Sequence, residues 1–175
     1  MEQNELERFE AIVLPHMDAA YTLAHYLMPN DHDAEDVVQE AYLRALKYFD
    51  GFRGAAGGEG RSWLLAIVRN TAYTWRHQHR ADALATEFDE TVHSHAVADD
   101  HPEGALLQKA AKETLARALD RLAPEFREVI VLRELEGLSY KEISDVAGVP
   151  VGTVMSRLSR ARARLQEALR EEEER

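Results

Sequence analysis

Residues 138–165 read LSYKEISDVAGVPVGTVMSRLSRARARL, and that order predicts two helices joined by a tight turn. Ser139 is a good N-cap, and Glu142 stands three residues later, the capping-box spacing in which each side chain satisfies the other's backbone N–H. Ile143 and Val146 give the short helix an inner face. The stretch from Ala147 to Pro150 turns the chain, because Gly148 tolerates a left-handed conformation and Pro150 is preset for a helix start. On the second helix Val151, Val154, Leu158, Ala161 and Leu165 recur at helical spacing and are expected inward, which leaves Gly152, Thr153, Ser156, Arg157, Arg160 and Arg164 outward. The pattern is a helix-turn-helix whose second helix is small and polar in its first turns and arginine-rich beyond. Small residues admit such a helix to the floor of a DNA major groove, and arginine pairs with guanine edges or phosphates.

Upstream, the 175-residue chain reads as helical almost throughout. A helix from about 6 to 27 carries Phe9, Ile12, Val13, His16, Ala20, Leu23 and Leu27, with a break or kink at Pro15. A second, about 32–49, has the stripe Ala34, Val37, Val38, Ala41, Ala45 and Phe49, with Asp31 or Asp33 able to cap it. Five glycines between Gly51 and Gly60 exclude regular structure there. A third helix, about 61–79, turns Leu64, Ile67, Val68, Ala72 and Trp75 inward. Residues 81–104 hold seven acidic and no basic side chains, and read as a flexible interdomain linker. Four more helical segments follow, at about 105–122, 124–136, 140–147 and 151–172. The expected fold is all-α: two small helical domains, residues 1–80 and 105–175, joined by the flexible acidic linker 81–104.

Composition excludes several classes. No cysteine is present, which removes disulfide scaffolds and cysteine-ligated zinc, and no run is apolar for the length of a membrane span. The acidic start MEQNELERFE does not resemble a signal peptide, so a cytoplasmic location and no membrane insertion are expected. Phosphate-binding glycine loops, the H-E-x-x-H zinc motif and nucleophile elbows are missing, so no catalytic residue, cofactor or metal site is expected. Asp36 and Glu40 are four apart, yet the facing E-x-x-H partners of a di-metal bundle are lacking. His93, His95 and His101, beside Asp99 and Asp100, have no fixed ligand spacing. The net charge of −11 hides basic blocks at 51–80 and 139–170 between acidic ones.

The C-terminal motif resembles the fourth domain of bacterial sigma factors. DAEDVVQEAYLRAL, from Asp33, followed by RSWLLAIVRNTAYTWRHQHR, from Arg61, resembles their second domain. Their order, the acidic segment between them and the lack of a third domain are those of the extracytoplasmic-function group. The resemblance implies an alternative sigma factor that binds core RNA polymerase and directs promoter-specific initiation. Asp33, Asp36, Gln39, Glu40 and Arg44 become candidate contacts to the clamp coiled coil of the β′ subunit, with the β subunit a further partner. An exposed acidic face suits a basic partner helix.

The minus-ten element, as single-stranded DNA, would meet Phe52, Arg53, Asn70, Tyr73, Arg76, His77 and Arg80, with Asn70 the foremost base reader. The minus-thirty-five duplex would meet Thr153, Ser156, Arg157, Arg160 and Arg164. Family members are commonly held by an anti-sigma factor, so one is an expected partner. The linker would run toward the RNA exit path, where acidic charge stands in for a nucleic-acid strand. The competing class is a stand-alone helix-turn-helix regulator, or a sigma-like adaptor that binds an anti-sigma factor.

Overall fold

The computed structural model describes residues 2–54, 57–80 and 102–175, and among them the regular structure is helical. Helix α1 spans Gln3–Val13 and α2 spans Met17–Leu27, separated by the 3-10 turn Leu14–His16 that Pro15 enforces. Helix α3 is Asp31–Tyr48. Its cap is Asn30, not Asp31 or Asp33: the Asn30 side chain accepts from the Asp33 N–H at 2.8 Å, and its amide donates to the Asp33 carboxylate at 2.8 Å. The face α3 buries is built on Ala34, Val37, Ala41 and Ala45, small enough for close approach to α2 and α4. Phe9 meets Tyr42 and Phe49 edge-on at 5.3 Å each, which locks α1 over the end of α3.

Both described ends of the glycine segment are regular, against what composition suggests. Phe49–Gly51 forms a 3-10 turn, and α4, Gly58–Gln78, already contains Gly58 and Gly60 in its first turn. Gly60 is buried, so tertiary packing overrides its weak helix preference. Downstream, α5 is Pro102–Asp120, three residues earlier than expected, and α6 is Pro124–Ile130. A π-helical turn, Val131–Leu135, replaces the α-helical continuation that periodicity suggests. Helices α7, Tyr140–Ala147, and α8, Val151–Glu173, form the helix-turn-helix. Its turn is as expected: Ser139 and Glu142 exchange bonds of 3.1 and 3.0 Å, and Gly148 is left-handed at φ 68°.

The two halves do not stand apart. Helix α4 lies along α7, α2 lies against α6, and one apolar core runs from Phe9 through Leu65 to Val129 and Leu158. The expected linker falls outside the described residues apart from Pro102–Gly104, which begin α5.

Arg127 seals the seam. Its guanidinium donates to the carbonyls of Leu119, Asp120 and Leu122 at the end of α5, and reaches across to the Tyr26 carbonyl of α2 at 2.9 Å. These carbonyls lie at or just beyond the ends of α5 and α2, where helix geometry leaves acceptors without an intrahelical donor, although the Leu119 carbonyl also accepts the Leu122 N–H at 3.0 Å. Arg127→Met would take the guanidinium donors from the Asp120, Leu122 and Tyr26 carbonyls, at a cost of about 3 kcal/mol. We expect a lowered urea midpoint in equilibrium unfolding, with Arg127→Lys falling between the variant and the parent protein.

Candidate functional site

Three surfaces carry the residues singled out by the sequence. On α3, Asp36, Gln39 and Glu40 are exposed, opposite the buried alanine stripe. Asp33 is half-buried through its bond to the Asn30 cap, and Arg44 is tied back to Glu40 at 3.0 Å. Leu43 stands exposed on the same outer face, an apolar residue the sequence reading passed over. Its signal was available: it falls out of phase with the stripe Val37, Ala41, Ala45, so the core cannot claim it.

On α4 the residues separate. Asn70, His77 and Arg80 are exposed, as is Arg53, whose guanidinium donates to the Asp50 carbonyl. Arg76 is half-buried and donates to the Leu27 carbonyl at 2.7 Å; burial pulls its pKa below the usual arginine value. Phe52 is a different case. Its ring is buried in the core, 4.7 Å from Trp63 and stacked on Phe49, so in this form it has no free face for a base. Gly54 makes that possible, since a Cβ there would sit 2.6 Å from the Phe52 ring. Trp63 and Trp75 are half-buried, in keeping with the inward face of α4.

On α8, Ser156, Arg160 and Arg164 are exposed and Thr153 is half-buried. Arg164 lies over the Phe126 ring at 4.6 Å. Two expectations are corrected here. Val151, taken as inward, is 40 % exposed at the start of α8, while Val154 three residues on is the first to be buried. Arg157, taken as outward, is only 26 % exposed and turns toward Glu128 at 4.0 Å. Met155, 53 % exposed, completes a small apolar patch with Val151 and Gly152 at the tip.

Glu128 is the residue the sequence reading missed altogether. It has no solvent exposure, and it sits between the halves. Arg69 of α4 grips it with both oxygens engaged, at 2.9 and 3.3 Å, and the Arg69 guanidinium lies over the Tyr73 ring at 4.0 Å. Burial pushes the Glu128 carboxyl up, while the Arg69 bonds draw it back down. The same burial and the Glu128 charge push the Tyr73 hydroxyl well above its usual value. The available signal was a carboxylate set between Phe126 and the apolar residues Val129, Ile130, Val131 and Leu132, where an unpaired charge would be untenable.

A second clasp lies one end along: Arg61 donates to the Glu142 carboxylate at 2.8 Å and to the Glu136 carbonyl at 3.5 Å. Burial raises the Glu142 pKa, but the bonds from Arg61 and Ser139 outweigh it and hold the carboxyl below its ordinary value. A depressed carboxyl stabilises the folded form above its unfolded pKa, and that share is lost as pH falls through the lower folded value. Glu142→Gln should therefore melt below the parent protein at neutral pH. Thermal unfolding followed from pH 7 down to about pH 3 should show the gap narrowing.

Among the described residues no cluster of histidines and carboxylates could hold a metal, and no helix is long and apolar enough to cross a membrane. His93, His95, Asp99, Asp100 and His101 lie outside the described residues.

A helix-turn-helix with an arginine-bearing second helix, packed in one chain with an exposed acidic helix and a basic one, defines a DNA-directed transcription protein. The family model for Sigma-70 region 2 matches residues 12–81, and that for Sigma-70 region 4 matches residues 112–165. The ECF RNA polymerase sigma-E factor of Escherichia coli is 32 % identical over 168 residues, which cover 93 % of this chain and 86 % of that one. The ECF RNA polymerase sigma factor SigE of Mycolicibacterium smegmatis is 34 % identical over 171 residues, 96 % of this chain but 64 % of its own length. The sigma factor RpoE of Bartonella quintana, solved in complex with the anti-sigma factor NepR, superposes with a TM-score of 0.74 at 29 % identity, covering 90 % of this chain and 93 % of that one. The chain belongs to the ECF group of RNA polymerase sigma factors, whose members direct transcription initiation.

Proposed function

We propose that the chain selects promoters through three surfaces, residues 1–80 and 105–175 acting as two domains. The outer face of α3, with Asp36, Gln39 and Glu40 flanked by Asp33 and Arg44, docks on the basic clamp coiled coil of the β′ subunit, with Leu43 as its apolar centre. Acidic side chains on a rigid helix speed and orient association with a basic helix, and an apolar residue among them supplies desolvation. Arg53, Asn70, Tyr73, Arg76, His77 and Arg80 meet the melted minus-ten strand, with Phe52 joining only where the glycine loop opens. Thr153, Ser156, Arg157, Arg160 and Arg164 meet the minus-thirty-five duplex, and the β subunit buttresses the C-terminal half. The role is one of binding in the cytoplasm, without catalysis or cofactor. The complex of the Bartonella RpoE with NepR supports an anti-sigma partner for this chain too.

The observation that carries this reading is the separation of charge by face: an exposed acidic α3 beside basic faces on α4 and α8, in a chain of net charge −11. A protein so acidic gains little from phosphate attraction on its own, so polymerase has to supply much of the promoter affinity. Run-off transcription with purified core polymerase on a promoter library tests it: we expect initiation at a defined sequence class, and none without this subunit. A chain that binds duplex DNA alone and directs no initiation would be a stand-alone regulator instead. Replacing Asp36 and Gln39 together by Arg should abolish core binding in a pull-down while the far-ultraviolet circular dichroism stays that of the parent protein. Unchanged core affinity would remove the α3 assignment.

A further inference from the structure

Helix α8 presents more than an arginine face. Successive residues of an α-helix turn by about 100°, so the exposed positions along its first half fall into strips. Gly152, Ser156, Ser159 and Ala163 run down the middle, opposite the buried Val154, Leu158 and Ala161. Thr153, Arg160 and Arg164 flank that strip on one side. Val151 and Met155 flank it on the other, and Arg162, the next residue along that side, is drawn to Glu134 at 2.9 Å. One flank therefore carries donors, and the free part of the other is apolar. Packing does not account for Met155, because Val154 and Leu158 already fill the core beneath the helix while more than half of the Met155 surface stays open.

The middle strip carries nothing longer than a hydroxymethyl group, and the space beside Gly152 is open. A duplex groove can therefore close on this helix and bring base edges against both flanks. In the major groove those edges differ in kind: guanine offers acceptors, which suit arginine, and thymine offers a C5-methyl group, which suits an apolar side chain. Methionine fits a methyl well, since its unbranched, polarizable thioether adapts its shape. From this arrangement we infer that Met155, with Val151 beside it, is a specificity-determining contact that reads the C5-methyl of a thymine in the minus-thirty-five duplex. The surroundings fix the occupant. Arg160 and Arg164 stand exposed across the middle strip, and duplex DNA is the ligand that places phosphates and apolar methyl groups within one helix diameter. The proposal rests on the promoter reading of α8 and deepens it: the arginine flank holds register, and the apolar flank chooses a base by its methyl group.

Removing the methyl alone tests this. Promoters are first chosen from the library by run-off transcription with core polymerase. Each thymine of their upstream duplex element is then replaced by deoxyuridine, which keeps the hydrogen-bonding edge and lacks the C5-methyl. Competition binding of the holoenzyme reports the loss at each position. For the parent protein we expect about a fourfold loss at the thymine that faces Met155, the worth of one buried methyl group. Met155→Gln should bind the thymine and deoxyuridine promoters alike at that position, and Met155→Leu should keep the preference for thymine. Circular dichroism checks that both variants keep the fold. Arg160→Ala should weaken binding to all these promoters together and leave the methyl preference in place.

Equal binding of thymine and deoxyuridine promoters by the parent protein would overturn the proposal, as would a methyl preference that persists in folded Met155→Gln. So would selected promoters with no thymine in the upstream element. A Met155→Gln chain that keeps the methyl preference but loses core polymerase would make the patch a protein contact instead. Failure to initiate anywhere in the library would sink the promoter reading itself, so the two failures are told apart.

Discussion

A carboxylate withdrawn from water is tolerable only where cations and donors replace its hydration, and Glu128 meets that condition with residues brought from far along the chain. Arg69 supplies a planar fork from α4, fifty-nine positions upstream, and Arg157 approaches from α8. The pair can exist only if α4 and α6 face each other at bonding distance. Everything that fixes those helices contributes: the alanine face of α3 that seats α4, the Arg127 fork that ties α5 to α2, and the shared core from Phe9 to Leu158. Breaking such a pair from one side leaves a buried charge with no compensation, so the seam is cooperative in a way that surface ion pairs such as Lys141–Asp145 are not.

The position of Glu128 also explains why an acidic protein can carry two basic faces without their attracting each other's anionic partners indiscriminately. Guanidinium groups of α4 are held by carboxylates of the same chain, and the acidic α3 lies on the other side, free for protein contact. Charge is sorted by face and by partner, which total charge alone conceals. Specificity then comes from which contacts must be exchanged as well as which can be made.

Local chemistry was legible in the sequence and long-range chemistry was not. The Ser139–Glu142 box, the left-handed Gly148 and the break at Pro15 depend on residues within a few positions, and each stands where spacing put it. Asn30 escaped because three neighbouring residues can all cap α3, and only the fold of the preceding turn chooses among them. Gly58 and Gly60 entered α4 because packing outweighed their intrinsic cost. Arg157 was read as outward, toward DNA, from its phase on the helix, and the carboxylate it turns toward lies on a different helix. Phe52 was read as a base-stacking ring because aromatic residues in glycine loops often are, while Trp63 and Phe49 offered it a closer surface. The closed arrangement of the halves is the sum of such distant pairings, so periodicity could define each helix-bearing half and leave their embrace unspecified.

The π turn at Val131–Leu135 has a consequence for evolution at this seam. There the Glu136 N–H reaches back to the Val131 carbonyl at 3.1 Å, one residue farther than an α-helix allows, so the turn houses a surplus position. A helix with a residue to spare works like slack in a cable. Loss of one position there would tighten the turn to α geometry and leave Glu128 upstream and Leu138 downstream near their present places. Sister lineages could then differ in length at this point while keeping both the buried carboxylate and the helix-turn-helix in phase, a freedom that the tightly capped turn around Gly148 does not offer.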